Sequence, residues 1–174
     1  MTAPVSQAYD TLLAVLDAQG ARYRLIDHPP EGATALVSAL RGNEVSQAAK
    51  CVVVMVKLTK KTKTYVLAVV PGNTRVDLDG LKHLLGGTYA AFASPDVAER
   101  LAGSPSGTIL PFSFDPELEL IADPGVLAHE ELFFNAARLD RSLALNTADY
   151  VACAQPRVEP IADAEPTHPA AERT

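Results

Sequence analysis

Lys50 stands at the entrance to the apolar run Val52–Val56, directly after Ala48 and Ala49. A lysine there has two uses. It is a strand-end charge reaching for water along its own methylene stem, or an anchored cation that faces a pocket and binds a phosphate or carbonyl oxygen. The second unusual stretch is Gly103-Ser104-Pro105-Ser106-Gly107-Thr108-Ile109-Leu110-Pro111-Phe112. Its glycines let backbone approach a ligand or aim successive N–H groups at an oxyanion, and Pro111 fixes the exit. Read without a ligand, the same stretch is a plain connection. It is no phosphate-cradling P-loop, because no Gly-Lys-Ser/Thr follows. Ser104, Ser106, Cys51 and His129 are the conceivable nucleophiles and bases, yet no Gly-x-Ser-x-Gly elbow is present and no spacing pairs a base with any of them. Cys51 follows Lys50, so it faces the opposite side of a strand and reads as a buried, inert thiol. His129 precedes Glu130-Glu131 and reads as a solvated histidine or a pocket edge. Asn135 closes an apolar strand and needs partners for its amide, from a neighbouring loop or from a substrate.

Metal chemistry finds little support. His28, His83, His129 and His168 are scattered, and Cys51 and Cys153 form no Cys-x-x-Cys pair. No metal and no cofactor are expected, and two cysteines make no disulfide scaffold.

The elements that must hold these residues follow from periodicity. Tyr9, Leu12, Leu13 and Leu16 share a helical face within residues 6–19, stopped by Gly20. Tyr23–Ile26 is a short strand and Thr34–Leu40 a short helix. Val52–Leu58 and Tyr65–Val70, joined by the polar turn Lys60-Lys61-Thr62-Lys63, form a hairpin buried on both faces near its middle. Asp77 caps a helix that carries Leu78, Leu81, Leu84 and Leu85. Tyr89–Phe92 is a strand, and Ser94-Pro95 opens a helix that runs to Leu101. Strands at Leu118–Ile121, Leu132–Asn135 and Ser142–Leu145 precede a last helix that starts at Thr147 and ends by Gln155. Strands do not alternate strictly with helices, so the class is α+β, a mixed α/β domain with a central mixed sheet of six or seven strands and helices around it. Residues 1–155 form one domain. Residues 156–174, with Pro156, Pro160, Pro166 and Pro169 and no apolar period, read as a disordered tail.

Charge is uneven along the chain. Residues 1–40 carry two Arg against four acids (−2), residues 41–112 nine Lys or Arg against five acids (+4), and residues 113–174 four Arg against twelve acids (−8), which together give the net −6. The basic middle is the place for a phosphate-bearing ligand, or it solvates a hairpin tip; the acidic total opposes tight nonspecific nucleic-acid binding. No apolar run approaches a membrane span, and no basic segment followed by an apolar stretch opens the chain, so the cytoplasm is the expected compartment, with no membrane and no DNA partner.

Four stretches, in order, resemble the YbaK/prolyl-tRNA-synthetase-associated domain family. They are Ala48-Ala49-Lys50 entering Val52–Val56; Val69-Val70-Pro71-Gly72-Asn73 followed by Val76-Asp77-Leu78; Ala93-Ser94-Pro95 with Gly103-x-x-x-Gly107-x-x-x-Pro111-Phe112; and Phe134-Asn135-Ala136-Ala137-Arg138-Leu139-Asp140-x-Ser142. The likeness covers about residues 5–156. Ser113-Phe114, Asp123-Pro124 and Thr147-Ala148-Asp149-Tyr150 resemble the freestanding YeaK-type members in particular.

The resemblance implies a metal-free hydrolase that removes a wrong amino acid from tRNA in trans, after the synthetase has released its mistake. A synthetase pocket cannot strongly reject a slightly smaller or isosteric amino acid by binding alone, which is why a second site exists. The implied substrate carries a small amino acid, Ser or Thr ahead of Ala or Cys. Lys50 then anchors the substrate and Gly107 presents backbone groups to the ester and the attacking water. Gly103, Thr108, Ile109, Leu110, Pro111 and Asn135 line the substrate, with His129 carried over from some relatives only. The implied partners are the 3′ end and acceptor stem of aminoacyl-tRNA, bound weakly, and an aminoacyl-tRNA synthetase. The rival reading is a non-catalytic tRNA- or synthetase-binding module that keeps the pocket; a third is hydrolysis of a small ester or amide unrelated to tRNA. The chain departs from the family at Cys51, at Ser113 and at Ala137, where glycine is common and where a methyl group is expected to narrow the pocket.

Overall fold

The computed structural model describes residues 4–164. In chain order the elements are α1 (Pro4–Ala18), β1 (Tyr23–Asp27), α2 (Thr34–Arg41), β2 (Ala49–Lys57), β3 (Lys63–Pro71), β4 (Thr74–Val76), α3 (Leu78–Leu84) and β5 (Tyr89–Phe92). Then come α4 (Pro95–Ala102), β6 (Leu118–Ala122), β7 (Glu131–Asn135), β8 (Arg141–Asn146), α5 (Thr147–Ala154), β9 (Arg157–Val158) and β10 (Ala162–Ala164). Single 3-10 turns cover Val45–Gln47 and Pro124–Leu127. The α+β class holds. The strands divide among three sheets rather than gathering in one, in the orders β5-β2-β3-β6-β9, β1-β8-β7 and β10-β4.

The polar-free stretch of β3 decides where the centre lies. Residues Val66 to Val70 are completely buried, between β2 on one side, antiparallel, and β6 on the other, parallel. Side chains alternate across a strand, so Leu67 and Val69 enter one core while Val66, Ala68 and Val70 enter another. The first core takes Ala8, Leu12 and Leu16 from α1, spaced by four residues along one face, and Phe134, Leu143 and Leu145 from the three-stranded sheet. The second takes Leu81 from α3 and Ile161 from the segment before β10. Each fully buried aliphatic side chain adds roughly 1.5–3 kcal/mol of transfer free energy.

Caps stand where their residue types placed them. Asp77 accepts from Gly80 N at the start of α3, and Ser94 accepts from Val97 N at the start of α4 with Pro95 as the first helical residue. The tail is different from its expectation. Residues 157–158 pair with β6, and residues 162–164 pair with β4. Asp123 explains the placement: its Oδ1 accepts from the N–H groups of Ile161 at 2.9 Å and Ala162 at 3.0 Å, while Oδ2 accepts from Gly125 at 2.8 Å. One carboxylate thus ends β6, caps a 3-10 turn and pins the returning chain. The domain therefore continues to at least residue 164, and the rest of the expected tail, 165–174, lies outside the described residues.

Candidate active site

Two sheets meet where β2 begins. Ala48 bridges Phe133 in parallel, just before Lys50 enters the hairpin. A cleft of about 210 Å³ opens at this junction. It is lined by Gly32, by Thr34, Val37 and Arg41 of α2, by Ala48 to Cys51 at the start of β2, and by Gly107, Ile109, Phe134 and Asn135. Among the described residues no Asp or Glu lines it, and two cations, Lys50 and Arg41, do.

Lys50 is one of them. Its Nζ donates to the carbonyl oxygen of Thr74 at 2.5 Å, so β4 holds the ammonium group of the side chain. Cys51 also touches the cleft, but its thiol packs against the first core and donates to Ala49 O at 3.7 Å. Burial pushes its pKa far up, which keeps the sulfur protonated and unreactive at neutral pH.

Gly107 needs its lack of a side chain twice over. Its φ of +85° lies in the left-handed region, and an added Cβ would stand 3.2 Å from the Cα of Gly32. Two backbones thus touch through two glycines. Asn135 clamps both: its Nδ2 donates to Gly107 O at 2.8 Å and to Glu31 O at 2.9 Å, and its Oδ1 accepts from Ser142 Oγ at 3.0 Å. The Asn135 amide is fully engaged by the protein, so it sets the width of the cleft by holding Gly107 against residues 31 and 32.

Of the residues singled out from the sequence, Lys50, Gly107, Ile109 and Asn135 come together here. The others serve the loop. Gly103 is the left-handed cap of α4, with φ +79°. Thr108 bonds back to Pro105 O through its N–H and its hydroxyl, at 3.0 and 2.7 Å. Leu110 is a core residue, and Pro111 O accepts from the buried Tyr150 hydroxyl at 2.8 Å. His129 stands away from the cleft lining, its Nε2 3.4 Å from Ser46 Oγ. Ala137 does not narrow the cleft. It is buried in the first core with φ +62°, a conformation that costs an L-residue roughly 1–2 kcal/mol and that glycine adopts without that cost.

The sequence pointed to none of Arg41, Ser142, His28 and Gly32 as site residues. Ser142 is fully buried and joins Arg41 and His28 to Asn135: its Oγ accepts from Arg41 Nη1 at 3.0 Å, lies 2.7 Å from His28 Nε2, and donates to Asn135. Arg41 had one visible signal, a cation at the end of an amphipathic helix immediately before Gly42, which is also the position of an ordinary helix-end charge.

Comparison with known proteins decides the family. The model of the aminoacyl-tRNA editing domain matches residues 28–153. The chain belongs to the aminoacyl-tRNA editing domain family. It is 39% identical over 154 residues to the multifunctional Ser/Thr-tRNA deacylase ProXp-y of Escherichia coli K12, covering 88% of this chain and 92% of that one. The counterpart in Escherichia coli O157:H7 matches to the same extent. Among solved structures, a hypothetical protein superposes with a TM-score of 0.77 at 22% identity, covering 87% of this chain and 99% of that one. A candidate trans-editing enzyme for prolyl tRNA synthetase gives 0.74 at 20% identity, covering 90% and 97%. At those identities the two structures speak for the fold.

Proposed function

We propose that this editing-domain protein hydrolyses the ester between tRNA and a wrongly attached small amino acid, Ser or Thr ahead of Ala or Cys, acting in trans in the cytoplasm. The observation that carries the reading is the convergence of Lys50, Gly107 and Asn135 on one small cleft in a chain 39% identical to a Ser/Thr-tRNA deacylase. The volume of about 210 Å³ falls below the ~300–1,000 Å³ usual for ligand pockets. That space suits a short aminoacyl group and disfavours a bulky one.

In this reading Lys50, braced by Thr74 O, draws the tRNA 3′ end into the cleft and stabilises negative charge there. Gly107, its carbonyl oxygen tied up by Asn135, turns its amide N–H toward the ester carbonyl. Water adds to that carbonyl carbon, negative charge grows on the oxygen, and a preorganised N–H offsets it better than mobile water does. The C–O bond to the ribose then breaks, the ribose oxygen takes a proton, and free amino acid and free tRNA leave. The neutral Cys51 thiol takes no part. An aminoacyl-tRNA synthetase is a second proposed partner, from which the misacylated tRNA would be passed.

The test is release of labelled amino acid from Ser-, Thr-, Ala- and Cys-charged tRNA, each on cognate and mismatched tRNA, with and without the matching synthetase. Lys50→Ala is expected to lower kcat/KM at least about 100-fold, the scale of a lost electrostatic stabiliser, with an unchanged urea midpoint. Full activity in that variant removes Lys50 from the mechanism. A folded wild type that shifts charged tRNA in a gel and releases nothing is a binding module instead.

A further inference from the structure

Arg22, Arg24, Arg138, Arg141 and Arg157 each pair with a carboxylate. Arg41 is different. Its Nε donates to Asn43 Oδ1 at 3.0 Å, Nη1 to Ser142 Oγ at 3.0 Å and Nη2 to Ser38 Oγ at 3.4 Å, and its Cζ lies 5.9 Å from the centre of the Phe133 ring. All four neighbours are neutral, and no carboxylate of the described residues pairs with it. Loss of water around the half-buried group draws its pKa down to about 10, so it remains charged at neutral pH. A guanidinium has five N–H donors; three are spent on these bonds and two remain.

A cation moved partly out of water without a counter-charge is costly unless a ligand supplies one. Arg41 lines the cleft. Its planar donor fork matches a phosphate in two-point contact, which a lysine ammonium does not. In an aminoacyl ester the amino acid has no free carboxylate and bears a positive ammonium group. The anions left on the substrate are the phosphates of the RNA strand, and the nearest joins the terminal adenosine to the nucleotide before it. We propose that Arg41 is the seat of that last phosphodiester, held in the cleft that Gly107 also lines. The inference rests on the deacylase reading and adds a residue and a substrate group to it. The chain of bonds from Arg41 through Ser142 and Asn135 to Gly107 places the phosphate seat and the ester site in one rigid frame.

The experiment uses seryl- and threonyl-charged acceptor-stem minihelices in two forms. One has the natural last phosphodiester; the other has an uncharged methylphosphonate there. Wild type and Arg41→Gln are compared by kcat/KM, with natural charged tRNA run in parallel. Charge-assisted hydrogen bonds predict that wild type favours the phosphodiester by about ten- to a hundredfold, and that Arg41→Gln loses this factor on the phosphodiester and little on the methylphosphonate. Equal losses on both substrates would show that Arg41 acts only through Ser142 and Asn135, and overturn the inference. So would a wild type indifferent to the methylphosphonate, a result that does not depend on the variant folding. Failure of wild type on natural charged tRNA strikes the deacylase reading itself, a separately visible outcome.

Discussion

Asn135 has the most consequential side chain of the cleft without being its reactive group. Two donated bonds and one accepted bond tie three separate chain segments, at residues 31, 107 and 142, to the end of β7. Asn135→Ala leaves two carbonyl oxygens and a hydroxyl without their partner, and unmade bonds of this kind cost about 1–3 kcal/mol each before relaxation or water relieves them. We expect a loss of about 2–3 kcal/mol in urea denaturation and a fall of at least about tenfold in kcat, because Gly107 is no longer held against Gly32. A variant with full kcat would show that the clamp does not position Gly107. The sequence exposed the residue types at this scale but not their partners. Asn135 in an apolar strand announced that it needed hydrogen bonds, and Lys50 and the glycine loop stood out by composition. Arg41 and Ser142 did not, because an arginine at a helix end and a serine in a strand are ordinary until a strand from over a hundred residues away brings them within 3.0 Å. His129 shows the converse: a residue type fit for chemistry, placed by its backbone beside Ser46 and outside the cleft.

Among the elements, β4 and β10 carry more than their three residues each suggest. Thr74 of β4 supplies the carbonyl that braces Lys50, and β4 is itself paired by β10, with Thr74 opposite Ala164. Ile161, fully buried beside β10, fixes that pair to the second core. Ile161→Ala is therefore expected to cost about 2–5 kcal/mol by urea denaturation, the usual range for such a core truncation. A loss under about 0.5 kcal/mol, the level of a surface change, would mean that this returning segment does not contribute to the fold. The longer elements were readable because they declare themselves locally: Leu12 and Leu16 by helical spacing, β2 and β3 by β-branched runs, α3 and α4 by Asp77 and Ser94. Strands of two or three residues have no such period. β9 and β10 exist because β6, β4 and the Asp123 carboxylate offer them bonds, and proline-rich flanks disguised them as tail.

For the whole molecule, the acid limit of stability is written in its exposed ion pairs. Hydrogen bonds from Arg141, Arg138 and Arg22 hold the carboxyls of Asp27, Asp140 and Asp149 below the usual carboxylate pKa. A carboxylate with a depressed folded pKa contributes stability above its unfolded value, near ~4, and loses that contribution as pH falls through the folded value. The urea midpoint is expected to stay level from about pH 7 to 5 and to drop below about pH 4, with a smaller drop in Arg22→Gln than in the parent; an equal drop in both would remove the Arg22–Asp149 pair as a cause. The pairing of β1 with β8 has another consequence. Tyr23 lies against Leu145 and Asp27 against Arg141, so the three-stranded sheet closes a loop of more than a hundred residues. Such distant pairing carries a heavy closure entropy and slows folding relative to local contacts. Arg41 cannot meet Ser142, nor Gly107 meet Asn135, until the chain through β8 has left the ribosome. The cleft is thus assembled only once β8 has emerged, and an interrupted nascent chain that lacks β8 lacks Ser142 and α5 and has no finished site.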